Sequence, residues 1–395
     1  MADNTNINLR NMMIYQIFVR NYSEEGSFAA VEADLDRIKS LGTDIVYLLP
    51  IHPIGVKNRK GSLGSPYAIR DYRAINPEYG TMEDFRSLVN AIHMRGMGCI
   101  IDVVYNHTSP DSVLAEEHPE WFYHDENGAP CGRVADWADV VDLDYSHPEL
   151  WDYQIETLKM WAGIVDGFRC DVASLVPIEF WERARREVES VHPGCIWLAE
   201  SVHPQFIIYM RSRGFTVHSD CEMYRAFDIC YDYDVFDLLE GYLKGENSLK
   251  EYTDVINRQE YIYPGNYIKL RFIENHDRAR AASLVSSVPA LRNLLAFSFF
   301  QKGTAFVYAG QEFGRTHLPS LFDKDTVTLE PENGVDLSDD ILRLCAIKKD
   351  PIFRNSVYQL SSDGDTITAT HTCGDRKLTG VFSLKGDAMP VITEG

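Results

Sequence analysis

Four separate stretches of this chain run from continuous apolar residues into a cluster of acids, histidines, an arginine and an asparagine. They are residues 100–107 (IIDVVYNH), 167–173 (GFRCDVA), 196–201 (IWLAES) and 270–277 (LRFIENHD). Apolar runs of this length, bounded by turn residues, read as parallel strands buried on both faces. Polar residues recurring at the carboxyl ends of such strands lie where an α/β barrel builds its active site.

The rest of the chain supports that architecture. Strand-like segments at residues 13–20, 44–51, 99–105, 167–172, 195–199, 215–219, 267–273 and 304–309 alternate with helical periodicity at 29–40, 82–95, 148–163, 177–192, 204–213 and 290–301. Eight units in strict order predict a (β/α)₈ TIM barrel rather than an open doubly wound sheet. No G-x-G-x-x-G follows the first strand, which argues against a dinucleotide site. The alternation breaks once, over residues 108–145, which read as a short irregular insertion after strand three, too long for an ordinary connection. The expected domains are therefore a catalytic barrel (1–107 and 146–349), the inserted subdomain (108–145) and a small C-terminal β domain (350–395). Short strands with Gly-Asp turns make that last segment an abbreviated β-sandwich.

Composition narrows the partners. The net charge of −21, from 59 acids against 38 Lys and Arg, argues against nucleic acid, whose binding needs basic clusters. It leaves a neutral sugar open. No apolar run approaches the ~20 residues needed to cross a bilayer, so no membrane partner is expected. The amino-terminal MADNTNINLR has no apolar signal-like core, and the eight cysteines fall singly without CxxC pairs. A cytoplasmic, reducing setting is the expectation. Nothing in the sequence marks an oligomeric state.

Three of the four runs end on carboxylates, Asp171, Glu200 and Asp277, which is the material for breaking a glycosidic bond: one acid protonated, one ionised. Arg169 precedes Asp171 by two and on a strand shares its face, so it should depress the Asp171 pKa and keep a nucleophile ionised. Glu200 ends an apolar run, where desolvation suits a general acid. His276 beside Asp277, and Asp102 with His107, offer donor–acceptor pairs for vicinal sugar hydroxyls. Tyr67 offers an aromatic face for a sugar ring. His52, His93, His192 and His218 read as structural or surface residues. Trp121, Trp137, Trp151 and Trp161 read by default as packing rather than a sugar platform, and the acids of residues 226–240 as a solvated helix face.

At these residues the sequence resembles the α-amylase family of retaining glycoside hydrolases, family thirteen, from about residue 14 to 348. DVVYNH, GFRCD, the Glu200 strand and ENHD occur in family order, and the segments SPYAIRDYRAINPEYGT and DLDYSHPEL are also similar to family members. The resemblance implies double displacement with retention: Asp171 as nucleophile, Glu200 as general acid/base and Asp277 as transition-state stabiliser. Tyr67, Asp102, His107, Arg169 and His276 would line the subsite holding the transferred glycosyl unit. No cofactor is required. Asn106 matches a calcium-ligand position of many members, with Asp136 and Asp139 as further carboxylates in the insertion, so a structural calcium is an expectation. Many starch-cleaving members carry Lys and His three and four residues after the nucleophile; here Ser174 and Leu175 stand there, and Val172 occurs in members acting on α-1,6 linkages or small substrates. This turns the expected substrate from long starch toward malto- or isomalto-oligosaccharides. A transglycosylase with the same site and a non-catalytic carbohydrate-binding barrel are the alternatives.

Overall fold

In the computed structural model, which describes residues 2–134 and 136–395, eight parallel strands close into a barrel. They are β1 (Met13–Ile17), β2 (Ile45–Leu48), β3 (Gly98–Val103), β4 (Gly167–Cys170), β5 (Ile196–Ala199), β6 (Ile229–Tyr231), β7 (Ile268–Arg271) and β8 (Thr304–Tyr308). Neighbours in sequence are neighbours in the ring, and β1 closes it by pairing with both β2 and β8. Nearly every strand residue is buried, as expected of strands walled by side chains inside and helices outside.

Register sets the functional end of the barrel. Asp102 lies opposite Arg169 across β3 and β4, and Cys170 lies opposite Ala199 across β4 and β5. The next residues, Asp171 and Glu200, keep the ladder for one more step, their N–H groups donating to Val103 O (2.9 Å) and Cys170 O (3.0 Å). Both carboxylates therefore leave rigid backbone at the carboxyl mouth.

Helices follow local signals. The helix Met82–Met94 starts in a Thr81–Asp84 capping box, and the chain turns away from it through Gly96 at φ +67°. The segment expected as one helix over 29–40 is two, Phe28–Ala33 and Leu35–Ser40, divided at Asp34. The insertion holds a short helix (Val113–Glu117) and a two-stranded ribbon pairing His107–Thr108 with Val141–Asp142.

Two expectations are corrected. The sixth strand is Ile229–Tyr231, whereas residues 215–219 form no strand. Its apolar run is only three residues, flanked by Asp228 and Asp232. Asp228 and Asp232 are buried rather than part of a solvated face, bound by Arg185 (2.7 Å) and Arg271 (2.7 Å). Half-buried Asp234 is bound by Lys269 (2.7 Å), while Asp237 on the following helix is exposed as expected. Buried charge is tolerated there because each carboxylate has a cationic partner.

The C-terminal segment is not a sandwich but one antiparallel sheet, β9 (Val357–Asp363), β10 (Thr366–Cys373), β11 (Arg376–Ser383) and β12 (Val391–Glu394). Burial alternates along β9 and β10. The buried face packs on barrel helices: Phe382 meets Phe297 and Phe300, and Asn257 exchanges hydrogen bonds with the Leu360 backbone. The helix layer takes the place of a second sheet. All eight cysteines are free, and no helix among the described residues is long and apolar enough to cross a membrane.

Candidate active site

One guanidinium organises the mouth of the barrel. Arg169 is fully buried; its Nη1 donates to Asp102 Oδ1 (2.9 Å), Asp102 Oδ2 (3.0 Å) and Asp171 Oδ1 (2.8 Å). Its Nη2 lies 2.9 Å from Glu200 Oε1. Asp102 Oδ2 also accepts from the hydroxyls of Tyr47 (2.6 Å) and Tyr67 (3.0 Å). Three carboxylates thus share one cation in a site closed to bulk water on its lower side. Burial pushes the Asp102 carboxyl up to about 6, against the pull of Arg169. Asp171 also rises, first from burial and then from the Glu200 charge. The sequence had suggested the reverse sign from Arg169 alone. Burial and a neighbouring carboxylate both disfavour the charged form of Asp171, and one guanidinium shared among three acids does not offset them.

Past Asp171 the chain bends through Val172, which adopts φ +34° and ψ +43° before the 3₁₀ turn Ala173–Leu175. This left-handed region is disfavoured for a β-branched residue. The Val172 N–H donates to Glu200 Oε2, 2.8 Å away, so Glu200 is held by Arg169 on one oxygen and a backbone donor on the other.

The loop after β7 supplies the opposite wall. His276 is buried and stacks on Tyr67 (ring centroids 5.5 Å apart, 14° between planes). Its Nδ1 meets Gln16 Nε2 at 3.0 Å, and its Nε2 meets the Tyr67 hydroxyl at 2.5 Å and Asp277 Oδ2 at 3.1 Å. With Gln16 donating, Nε2 carries the ring proton. Burial and the nearby Arg169 push the imidazole down to about 3, so it stays neutral. The Asp277 N–H donates to Asn275 Oδ1 (2.9 Å), leaving its carboxylate 40% exposed to the cleft. Below, Glu274 accepts from Arg280 Nη1 (2.6 Å) and the Ala281 N–H (2.7 Å), stapling the two ends of this loop. His107 Nε2 stands 3.8 Å from Asp171 Oδ2.

The structure therefore brings together Tyr67, Asp102, His107, Arg169, Asp171, Glu200, His276 and Asp277. Above them is a cleft of about 300 Å³, into which Tyr67, His107, Asp171, Glu200 and Asp277 face. A second lobe of about 390 Å³ continues past Glu200 and Asp277 and is walled by Trp137, His203, Phe206, Tyr233 and Arg278. Trp137 borders both lobes. Default packing is right for the fully buried Trp161 and the buried Trp121; Trp137 also packs on apolar neighbours such as Ile54 and Val140, and lines the cleft as well. Phe206, Tyr233, Gln16 and Tyr47 also went unrecognised in the sequence. Gln16 alone left a signal there, as the one polar residue inside the apolar strand MIYQI.

Asn106 is buried and hydrogen-bonded at the junction between barrel and insertion. Its Oδ1 accepts from Arg133 Nη2. Asp139 is paired with Lys60 (2.8 Å), and Asp136 is exposed, with its carbonyl accepting from the same lysine. Among the described residues no group of three or more His, Cys, Asp or Glu side chains is placed to hold a metal ion.

A closed parallel barrel with buried, cation-shared carboxylates at its carboxyl mouth has the form of a barrel enzyme. Comparison with known proteins names the family. The model of the alpha-amylase catalytic domain matches residues 5–137 and 117–362, and the chain belongs to the alpha-amylase family of glycoside-hydrolase enzymes. It is similar in structure to an alpha-amylase from Lactobacillus plantarum (53% identity, 96% of this chain and 90% of that one, TM-score 0.93). It is likewise similar to a noncanonic maltogenic alpha-amylase from Thermotoga neapolitana (38%, 95% and 86%, TM-score 0.85). In sequence it resembles an alpha-1,4-glucan:maltose-1-phosphate maltosyltransferase of Rhodospirillum rubrum, at 36% identity over 228 residues, 51% of this chain and 33% of that protein. The chain thus spans about a third of the length of that curated relative.

Proposed function

We propose that this chain is a retaining α-glycosidase acting on short α-glucan oligosaccharides by double displacement. Asp171 attacks the anomeric carbon while Glu200 gives its proton to the departing glycosidic oxygen, and the bond to the aglycone breaks as the Asp171–sugar ester forms. Glu200, now ionised, takes a proton from water; that water attacks the same carbon and releases Asp171. Asp277 faces the reacting sugar from the opposite wall, and neutral His276 and Asp102 supply a donor and an acceptor for its hydroxyls. Tyr67 presents a ring face to its apolar side.

The observation that carries this reading is the single Arg169 guanidinium in contact with both Asp171 and Glu200. It supports a close carboxylate pair, as retention requires, rather than one parted by a water-sized gap. Double displacement needs one ionised and one protonated carboxyl in that pair.

A second reading, glycosyl transfer to another sugar, is favoured by the aromatic lobe beyond Glu200. Trp137 and Phe206 (centroids 6.2 Å apart, 30°) with Tyr233 offer faces on which a sugar acceptor packs, in competition with water. The Rhodospirillum rubrum relative is named as a maltosyltransferase.

The test is chromatographic product analysis with maltotriose, isomaltotriose and soluble starch, for the wild type and Glu200→Gln. The expected result is cleavage of the trisaccharides in preference to starch, lost in the variant. Products longer than the substrate at high oligosaccharide concentration would establish transfer. A Glu200→Gln protein that cleaves as well as wild type would remove the assigned acid/base.

A further inference from the structure

Arg133 comes from the inserted segment and reaches the end of the barrel strand that carries Asp102. Its Nη2 donates to Asn106 Oδ1, and its Nε donates to Asp142 Oδ2 at 2.8 Å. The Arg133 backbone N–H donates to that same carboxylate oxygen at 3.1 Å. Asn106 and Asp142 are fully buried, and the Arg133 side chain is 7% exposed, its guanidinium carbon 4.7 Å from the Tyr123 ring centroid. Asp142 is paired in the ribbon with His107, which faces Asp171. The contact therefore ties the insertion to the barrel one residue from the candidate site.

A calcium ion at this junction would have to use the Asn106 and Asp142 oxygens and find six to eight oxygen ligands in all. Asn106 Oδ1 and Asp142 Oδ2 are already committed to the guanidinium. Among the described residues, Asp142 Oδ1 is the buried side-chain oxygen of this junction left without a partner, and Asp139 is engaged by Lys60. A divalent ion on Asp142 Oδ1 would also sit beside a fixed positive charge on the same carboxylate, with little solvent to screen the repulsion. Guanidinium suits the place: it is planar, always charged and gives directed donors to two acceptors at once.

We infer that Arg133 is the resident cation joining the insertion to the barrel, and that the junction at Asn106 takes no calcium. This holds whichever glycoside the site cleaves.

Thermal unfolding of the full chain in EDTA and in millimolar calcium chloride tests it, alongside Arg133→Met, Asp142→Asn and the double variant. The expected wild-type midpoint is the same in both buffers. Arg133→Met strands a buried carboxylate and should lower the midpoint by about 5 °C. In the Asp142→Asn background the same substitution should cost far less, because no charge is left unpaired. Arg133→Lys, which keeps the charge but cannot span both acceptors, should fall between and stay indifferent to calcium. A calcium-dependent rise of about 3 °C in the wild type, abolished by Asp142→Asn, would overturn the inference. An Arg133→Met protein with an unchanged midpoint would overturn it equally.

Discussion

The Val172 N–H donates to Glu200 at 2.8 Å from a backbone that a β-branched residue rarely adopts, φ +34° and ψ +43°. The donor and the strain fall on the same residue. Asp171 leaves β4 pointing into the cleft, and the chain turns at once into Ala173–Leu175 through the left-handed step at Val172. Strain of this kind typically costs about 1–3 kcal/mol and persists where surrounding contacts over-determine it.

Substituting Val172 should therefore reverse the ordinary order of residues. Glycine adopts positive φ without a clash, whereas alanine keeps a Cβ there. Val172→Gly is expected to be more stable than Val172→Ala by about 1 kcal/mol, and both keep the N–H to Glu200. Paired thermal melts check this. Alanine more stable than glycine would mean the left-handed step is absent in solution.

Arg169 gives the second prediction. Three carboxylates depend on it, and lysine carries one compact charge on a stem that cannot fork to Asp102, Asp171 and Glu200 together. Arg169→Lys should cost about 3–5 kcal/mol of stability, the cost typical of breaking a buried ion pair. It should also lower kcat by about a hundredfold or more, as a lost general-acid arrangement does. Denaturant unfolding and steady-state kinetics measure the two effects. Wild-type kcat in a destabilised protein would show that Arg169 holds the fold and not the reacting pair.

Much of this was legible in the residues, for a physical reason. Strands buried on both faces are continuous apolar runs, so most of the barrel strands stand out, and acids at their carboxyl ends mark the mouth. The sixth strand was not legible because Ile229–Tyr231 is too short a run and lies between Asp228 and Asp232. Their partners Arg185 and Arg271 come from 43 and 39 residues away, so nothing local reveals that those acids are buried. The sign of the Asp171 shift failed similarly: Arg169 is two residues off and visible, while burial and Glu200 act through the fold. Trp137 reads as packing because its partners in the cleft, Phe206 and His107, come from two other segments.

Trp137 gives the third prediction. It borders both lobes of the cleft, so under the proposed function its ring would meet sugar on either side of the bond to be cleaved. Trp137→Ala should raise KM for trisaccharides about tenfold, equivalent to about 1.4 kcal/mol of lost stacking, with kcat changed less. Phe206→Ala removes only the far lobe's platform. It should lower the ratio of transfer to hydrolysis products at high substrate while leaving hydrolysis of small aryl glucosides near wild type. An unchanged product ratio would place the sugar acceptor elsewhere.

The last prediction concerns acid. His371 is buried between the barrel and the C-terminal sheet, its Nδ1 2.7 Å from Ser356 Oγ and its Nε2 2.7 Å from Phe300 O. Burial pushes it down to about 3, with the cations of Lys348 and Lys302 adding to the effect, while in the unfolded chain an imidazole titrates near 6.5. Between those values the unfolded chain binds a proton that the folded protein refuses. Stability associated with this residue is thus complete above about pH 6.5 and is lost as pH falls toward about 3, at about 1.4 kcal/mol per pH unit. His371→Gln keeps a polar side chain at the interface but cannot take up the proton. The wild type should therefore lose stability faster than His371→Gln between pH 6 and 4 by about that slope, whatever the offset between the two at neutral pH. Urea unfolding at four or five pH values measures the difference. Parallel curves for the two proteins would mean that His371 titrates in the folded state as it does in the unfolded chain.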